Sequence, residues 1–374
     1  MAKGRKLRFL PCIAFIGIFL CLSCASGKPP RVGAAGENGR LIWSDEFDTD
    51  GAPDPEKWDF DLGGHGWGSD ELQYYTGRIE NAEQKDGSLI ISARKESYRG
   101  RDYTSARLSS SLKADWLYGR IEVRAKLPKG RGTLPAIRLL PTVEKYGAWP
   151  ASGEIDVMEH AGFEQGLVHG SLQSAKYNRQ RGNARGAIIQ SDDCSSAYHV
   201  YAIEWRPGKI DFYFDDTLYF SQGIDIAEEG YDAWAAWPFD KPFHLIFNLA
   251  VGGDWGGYKG VDEGIWPQAL AVDWVRVWDL GLDPAKDTKK PGPPSAPRLY
   301  ASASGYTLDW LPSRDNYGVD EYRVYMDGEL IGGGAKNMIA LPMLFPGENR
   351  AFRIEARDYN GNASSGGEFN LSAP

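Results

Sequence analysis

The stretch WPASGEIDVMEHAG, residues 149–162, places three carboxylic acids, Glu154, Asp156 and Glu159, in a run that otherwise reads as buried strand. A strand alternates its faces every two residues, so Glu154 and Asp156 share a side and the third acid belongs at position 158. Met158 stands there and the acid comes one residue later. One inserted residue, a β-bulge with the flexible, apolar Met158 tucked behind, would bring Glu159 round to join the other two. The glutamates would then stand four effective strand positions apart, with Cα atoms roughly 13 Å from each other. Side chains leaning inward would close their carboxyl groups to roughly 5–6 Å, the separation of a nucleophile and an acid/base in a retaining glycosidase. Mutual repulsion and partial burial should raise one glutamate into a proton donor, with Asp156 tuning the pair. Acids are depleted in strands, and three on one face without basic partners repel, so an accidental solvated face explains the pattern less well.

The elements around this stretch are short and alternating. From Leu41 to Asp279 runs such as LIWSDEF, SLIISARK, RIEVRAKL, IDFYFDD, HLIFNLAV and DWVRVWDL are separated by Gly, Pro, Asn and Asp clusters, with no amphipathic helix longer than about two turns. This predicts an all-β sandwich or barrel. The 374 residues allow one large domain and a small one, and 45 Gly, 13 Trp and 19 Tyr suit a turn-rich fold with surfaces that stack flat ligands. Twelve of the tryptophans fall within this region. Trp43, Trp58, Trp205, Trp274 and Trp278 sit inside strand runs and read as core. Trp67, Trp149 and Trp255 sit in glycine-flanked loops, where an exposed indole is costly unless something stacks on it.

The net charge is −9, or −13 without the basic start, which makes nucleic acid and anionic membrane surfaces poor partners. That start, residues 1–24, has a basic n-region, an apolar run of about 14 residues and small residues after it, the signature of an export signal. A spanning helix needs about 20 apolar residues. Leu22-Ser23-Cys24-Ala25 is similar to the lipobox of bacterial lipoproteins, although Cys21 stands where that pattern prefers Leu. Lipidation at Cys24 would anchor the chain to a membrane without spanning it. It would also leave Cys194 without an intramolecular partner. Residues 25–39 read as a spacer and 40–280 as the main domain. The Pro- and Lys-rich segment 281–296 reads as a semi-extended linker, and 297–374 as a second, smaller β-sandwich of about seven strands. Neither HExxH, paired CxxC, a phosphate-cradling loop nor a GxSxG elbow occurs.

Several blocks taken together resemble glycoside hydrolase family 16, in its laminarinase-like endo-1,3-β-glucanase branch. GEIDVMEH is similar to the E-[IL]-D-x-x-E signature, and GWGSDELQYYTGRIENA, AWPASGEID, VHGSL and VDWVRVWD follow the family's order across residues 41–279. The resemblance implies a concanavalin-like β-jelly-roll with a concave aromatic cleft. It implies Glu154 as nucleophile, Asp156 as its assistant and Glu159 as acid/base, with no catalytic cofactor. Trp149, Arg107 and His169 become sugar contacts, joined by the loop residues Trp67 and Trp255; Arg107 and His169 could equally be a surface ion pair and a hydrogen-bonded strand histidine. It further implies a structural calcium ion on the convex side, held by the main-chain oxygens of Glu46 and Gly87 and the carboxylate of Asp273. The tail, with Trp310 and Tyr322 as core residues, resembles a bacterial fibronectin type III module.

The chain departs from the family in the cleft. TLPAIRLLP puts Leu134 and Arg138 where tryptophans are usual, Ser69-Asp70 replaces Asn-Asn, and Gln173 replaces a histidine. By alternation Arg138 faces the same side as the acids, either to read a charged sugar or to balance the carboxylates. The expectation is a monomeric, exported endo-acting β-glucan hydrolase working by double displacement, on β-1,3 or mixed 1,3/1,4 glucan. Its rivals are the same chemistry on an agar-like or sulfated galactan, and a glucan-binding protein that does not cut.

Overall fold

The computed structural model describes residues 39–302, 305–341, 344–364 and 366–374. The export signal, Cys24 and all but the last residue of the spacer lie outside them. Among the described residues no helix is long and apolar enough to cross a membrane.

Two large sheets form a sandwich-like jelly-roll. One has ten strands, ordered Thr217–Gly223, Lys209–Phe214, His199–Arg206, Gly119–Lys126, Gln268–Asp279, Ser88–Tyr98, Arg101–Ser105 and Gln73–Tyr75, with Arg40–Asp45 and Ala82–Lys85 pairing off that path. The other has seven, ordered Arg185–Gln190, Leu167–Gln173, Glu154–Glu159, Thr133–Pro141, Phe243–Val251, Arg107–Ser109 and Asp59–Phe60. Sequence neighbours such as Thr133–Pro141 and Glu154–Glu159 pair directly, whereas Phe243–Val251 returns from far along the chain to close the other side of Thr133–Pro141.

The alternation predicted from sequence sorts side chains between the two faces of the seven-stranded sheet. Ile137, Leu139, Ile155, Val157, Met158, Val168, Leu172, Leu245 and Phe247 turn inward and meet Ile121, Val123, Tyr201, Ile203, Phe212 and Val275 of the ten-stranded sheet. Each fully buried side chain of this size contributes about 1.5–3 kcal/mol. Trp58, Trp205 and Trp274 are buried as expected, while Trp43 and Trp278 are only half-buried.

The bulge is present, and the register locates it. Asp156 opposes Arg138 and Met158 opposes Ile137, so the residue without a partner on that side is Val157. On the other side Asp156 opposes Ser171 and Glu159 opposes His169, leaving Val157 and Met158 together against Gly170. The inserted position is therefore shared by Val157 and Met158, both buried in the core, and is not Met158 alone. Gly170 is required opposite it, because a Cβ there would lie 2.3 Å from the Tyr219 hydroxyl.

The described residues of 295–374 form a separate pair of sheets. Ser295–Ser302, Gly305–Leu311 and Met338–Leu341 make one, and Glu329–Gly334, Val319–Met326, Asn349–Asp358 and Glu368–Ser372 the other. Leu308, Trp310, Tyr322, Val324, Phe352 and Ile354 fill the space between them. This body packs against the jelly-roll. The Tyr118 hydroxyl donates to the Tyr317 carbonyl at 2.5 Å, the buried Lys241 ammonium donates to the Val319 carbonyl at 2.7 Å, and the Asn337 amide donates to the Tyr231 carbonyl at 3.1 Å.

Candidate active site

The outward face of the seven-stranded sheet lines a cleft of about 810 Å³. Its floor is strand Glu154–Glu159, which is buried along its whole length although half its residues are acids. Gly153, with φ +90°, turns the chain into this strand where a Cβ would press on Pro238 and Phe239. The bulge then brings Glu159 to the same side as Glu154, and both open into the cleft.

Arg138 spans the two glutamates. Its Nη1 donates to Glu154 Oε1 at 2.5 Å and its Nη2 to Glu159 Oε1 at 2.6 Å, while Nε stands 3.8 Å from Asp156 Oδ1. One guanidinium bridging both acceptors caps their separation at about 7 Å, which admits the roughly 5–5.5 Å of a retaining pair and excludes most of the wider inverting range. Arg179 adds a second cation, 3.3 Å from Glu154 Oε2 and 3.8 Å from Glu159 Oε1, with its guanidinium 5.6 Å above the Trp149 ring. The Trp149 indole donates to Glu154 Oε2 at 2.6 Å.

These contacts divide the charge among the acids. Burial works to raise Glu154, but the fields of Arg138 and then Arg179, with hydrogen bonds from Trp149 and Asp156, bring its carboxyl down to about 2. Asp156 goes the other way: burial first, then the fields of Glu154 and Glu159, push it well above the usual carboxylate range. Ser171 Oγ and Gln173 Nε2 donate to its Oδ2 at 2.8 and 3.2 Å. Within the motif, then, the acid pushed upward is Asp156 and Glu154 is pushed down, whereas the spacing alone suggested a raised glutamate. For Glu154 the cause is the pair of guanidinia, of which the sequence pattern indicated only Arg138.

The other expected residues also reach this cleft. Trp67, Arg107, Trp149, His169 and Trp255 all line it. Arg107 donates to Asp61 at 2.9 Å and lies 5.1 Å over the Trp67 ring, so it is an ion-pair partner and a cleft residue at once. His169 packs edge-on against Trp255 at 4.9 Å; burial lowers it, and its Nε2 stands 3.7 Å from Glu164. Trp255 packs with Leu134, Ala161 and Ala250, so Leu134 supplies apolar footing rather than a stacking ring.

Sequence reasoning missed Arg179 and Glu71. Arg179 opens a one-turn helix, Arg179–Arg181, capped by Asn178, and no local pattern points it at the acids. Glu71 lines the cleft and accepts from Gln73 at 2.5 Å; burial raises it, against the hydrogen bond from Gln73 and the fields of Arg138 and Arg107. Its place in ELQYY was visible, but its distance from the motif was not.

The profile of glycosyl hydrolases family 16 matches residues 69–276, which include every member of the acid strand. The chain belongs to this family. A β-glucanase of Rhodothermus marinus is 51% identical over 277 residues, covering 73% of this chain and 94% of the relative. A glucan endo-1,3-β-glucosidase of Cryptopygus antarcticus is 36% identical, covering 64% of this chain and 91% of the relative. The X-ray structure of the laminarinase from Rhodothermus marinus superposes with a TM-score of 0.62 at 55% identity, over 64% of this chain and 96% of that one. As a family 16 member the chain is a glycoside hydrolase.

On the convex side Asp273 falls at a register shift in strand Gln268–Asp279, and its carboxylate meets Arg124 at 2.5 Å. The Glu46 carboxylate is clasped by Arg276 through two 3.0 Å hydrogen bonds. An all-oxygen set of this kind suits calcium, with Arg124 as its competitor for Asp273.

Proposed function

We propose that this protein is an exported, endo-acting β-glucan hydrolase that retains anomeric configuration, acting on β-1,3 or mixed 1,3/1,4 glucan. The observation that carries the reading is the bulge that sets Glu154 and Glu159 side by side in an aromatic-walled cleft, close enough for one guanidinium to bridge them. Glu154, held ionised by Arg138 and Arg179, attacks the anomeric carbon as Glu159 gives its proton to the departing glycosidic oxygen. The resulting glycosyl ester is then hydrolysed by a water that Glu159 deprotonates, which restores both acids. Asp156, retaining its proton, hydrogen-bonds Glu154 and steadies its charge before and after attack. Trp67, Trp149 and Trp255 offer faces for successive sugar rings, with Arg107 and His169 as polar contacts. The convex oxygens of Glu46, Gly87 and Asp273 are proposed to hold a structural calcium ion that takes no part in the chemistry. Residues 297–374 fit a fibronectin type III-like module that acts as a spacer or weak adhesion element, and Cys24 is proposed as a lipid anchor.

Incubation with laminarin, lichenan and agarose side by side tests the reading. Rapid viscosity loss with release of oligosaccharides is expected on the first two, with proton NMR showing the β-anomer first; no turnover on either would overturn it. Arg138 and Arg179 in the cleft support a second reading, in which the polymer carries sulfate or carboxylate groups. Turnover of a sulfated galactan in preference to laminarin, lost as salt rises, would establish that instead. A binding protein without activity is disfavoured because all three acids are in place.

A further inference from the structure

We infer that Asp287, Asp315 and Asp358 form a binding site for a calcium-type divalent cation that fastens the linker to the C-terminal sheets at their junction with the catalytic body. One carboxylate oxygen from each lies within 4.8 Å of the others. Calcium holds its oxygens at about 2.3–2.6 Å, so ligands on its opposite sides stand up to about 5 Å apart and the trio fits around one ion. None of the three lines the cleft.

Each carboxylate is aimed by the backbone. Asp287 Oδ1 accepts from the Lys289 N–H at 2.9 Å, Asp315 Oδ2 from Tyr317 and Gly318 at 2.9 and 3.1 Å, and Asp358 Oδ1 from Asn360 and Asn362 at 2.9 and 2.8 Å. The opposite oxygens of the first two, Asp287 Oδ2 and Asp315 Oδ1, are buried with no hydrogen-bond partner among the described residues. Asp287 as a whole is only 5% exposed and Asp358 4%. Buried carboxylate oxygens left bare beside one another are costly unless a cation or a proton meets them. No basic side chain among the described residues forms an ion pair with any of the three. Carboxylates without sulfur or imidazole select a hard cation, and water would complete its shell.

The location gives the site its consequence. Asp287 follows the last strand of the jelly-roll by a short turn, Pro284–Lys286, and its carbonyl already accepts from Asn360 and Asn362 at 2.7 and 3.0 Å. Asp315 begins the loop whose Tyr317 carbonyl receives the Tyr118 hydroxyl of the catalytic body. One ion would therefore tie together the linker, that loop and the end of strand Asn349–Asp358, and convert a hinge into a clamp.

Calcium titration of the full chain by calorimetry and thermal unfolding, with the variants Asp287→Asn, Asp315→Asn and, for the convex face, Asp273→Asn, tests this. The wild type and Asp273→Asn should each bind calcium at the junction and unfold several degrees higher in calcium than in EDTA. Asp287→Asn and Asp315→Asn should lose one bound equivalent and most of that shift, with activity on glucan retained. In EDTA, Asp315→Asn should unfold above the wild type, because a repelling charge has gone; a merely structural aspartate would give the opposite sign. Unchanged stoichiometry and midpoint shift in both junction variants, or calcium binding abolished by Asp273→Asn alone, would overturn the site.

Discussion

The molecule gathers three acids twice and treats them differently. In the cleft, Glu154, Asp156 and Glu159 come from one strand and are met by two guanidinia, with Arg138 donating to both glutamates. At the junction, Asp287, Asp315 and Asp358 come from three separate segments and are met by backbone N–H groups and, at Asp358, the Asn362 amide, without a counter-charge among the described residues. A buried carboxylate cluster must be balanced by built-in cations, by a retained proton or by an ion from solution. The first two solutions leave a cleft whose charges can be reorganised around a sugar. The third makes a joint that responds to metal.

The largest effect expected in the cleft is from Glu154→Gln, which removes the proposed nucleophile and should lower kcat at least about 10³-fold while the protein stays folded. Normal turnover by that variant would end the assignment and with it the functional half of the contrast. Arg138→Gln should cost about 3–5 kcal/mol of stability in urea unfolding, because two buried carboxylates lose their shared cation. It should also move the acid limb of kcat/KM to higher pH, since Glu154 loses the field that holds it at about 2. In the wild type, Glu154 contributes stability that is full above pH 4.5 and lost as pH falls toward about 2.

Asp156 has the opposite sign. Its raised carboxyl contributes stability that is full below pH 3.8 and lost as pH rises through its folded value. The stability of Asp156→Asn minus that of wild type should therefore increase with pH, read as a rising signed difference in denaturation midpoint from pH 5 to pH 9. A difference that stays constant would show Asp156 ionised like its neighbours. The smallest change is Tyr118→Phe at the joint: losing one interdomain hydrogen bond should cost about 1 kcal/mol and leave turnover intact. A larger loss, or one that calcium fails to offset, would argue that the joint does not depend on its acids.

Much of the cleft was legible because it is written locally. The offset of three between Asp156 and Glu159 required a bulge, and the alternation in TLPAIRLLP put Arg138 on the acids' side, where it pairs with both glutamates. Among its described residues the tail divides into seven strands, as its pattern implied. What escaped was long-range. The linker read as semi-extended, yet Asp287 within it is buried against Asn360 and Asn362. Arg179 carries no motif, and its short helix reaches Glu154 only because strand Leu167–Gln173 pairs with the acid strand and leads the chain back over the cleft.

By itself the sequence determined the strand periods, the bulge, the two glutamates that it brings to one face and the cation beside them, since each depends on side-chain direction over a few consecutive residues. The tertiary structure alone decided which acid keeps a proton, what neutralises the others, and how three distant aspartates meet at a joint. Those outcomes depend on burial and on charge-to-charge distance, which are properties of segments brought together by folding and not of their order in the chain.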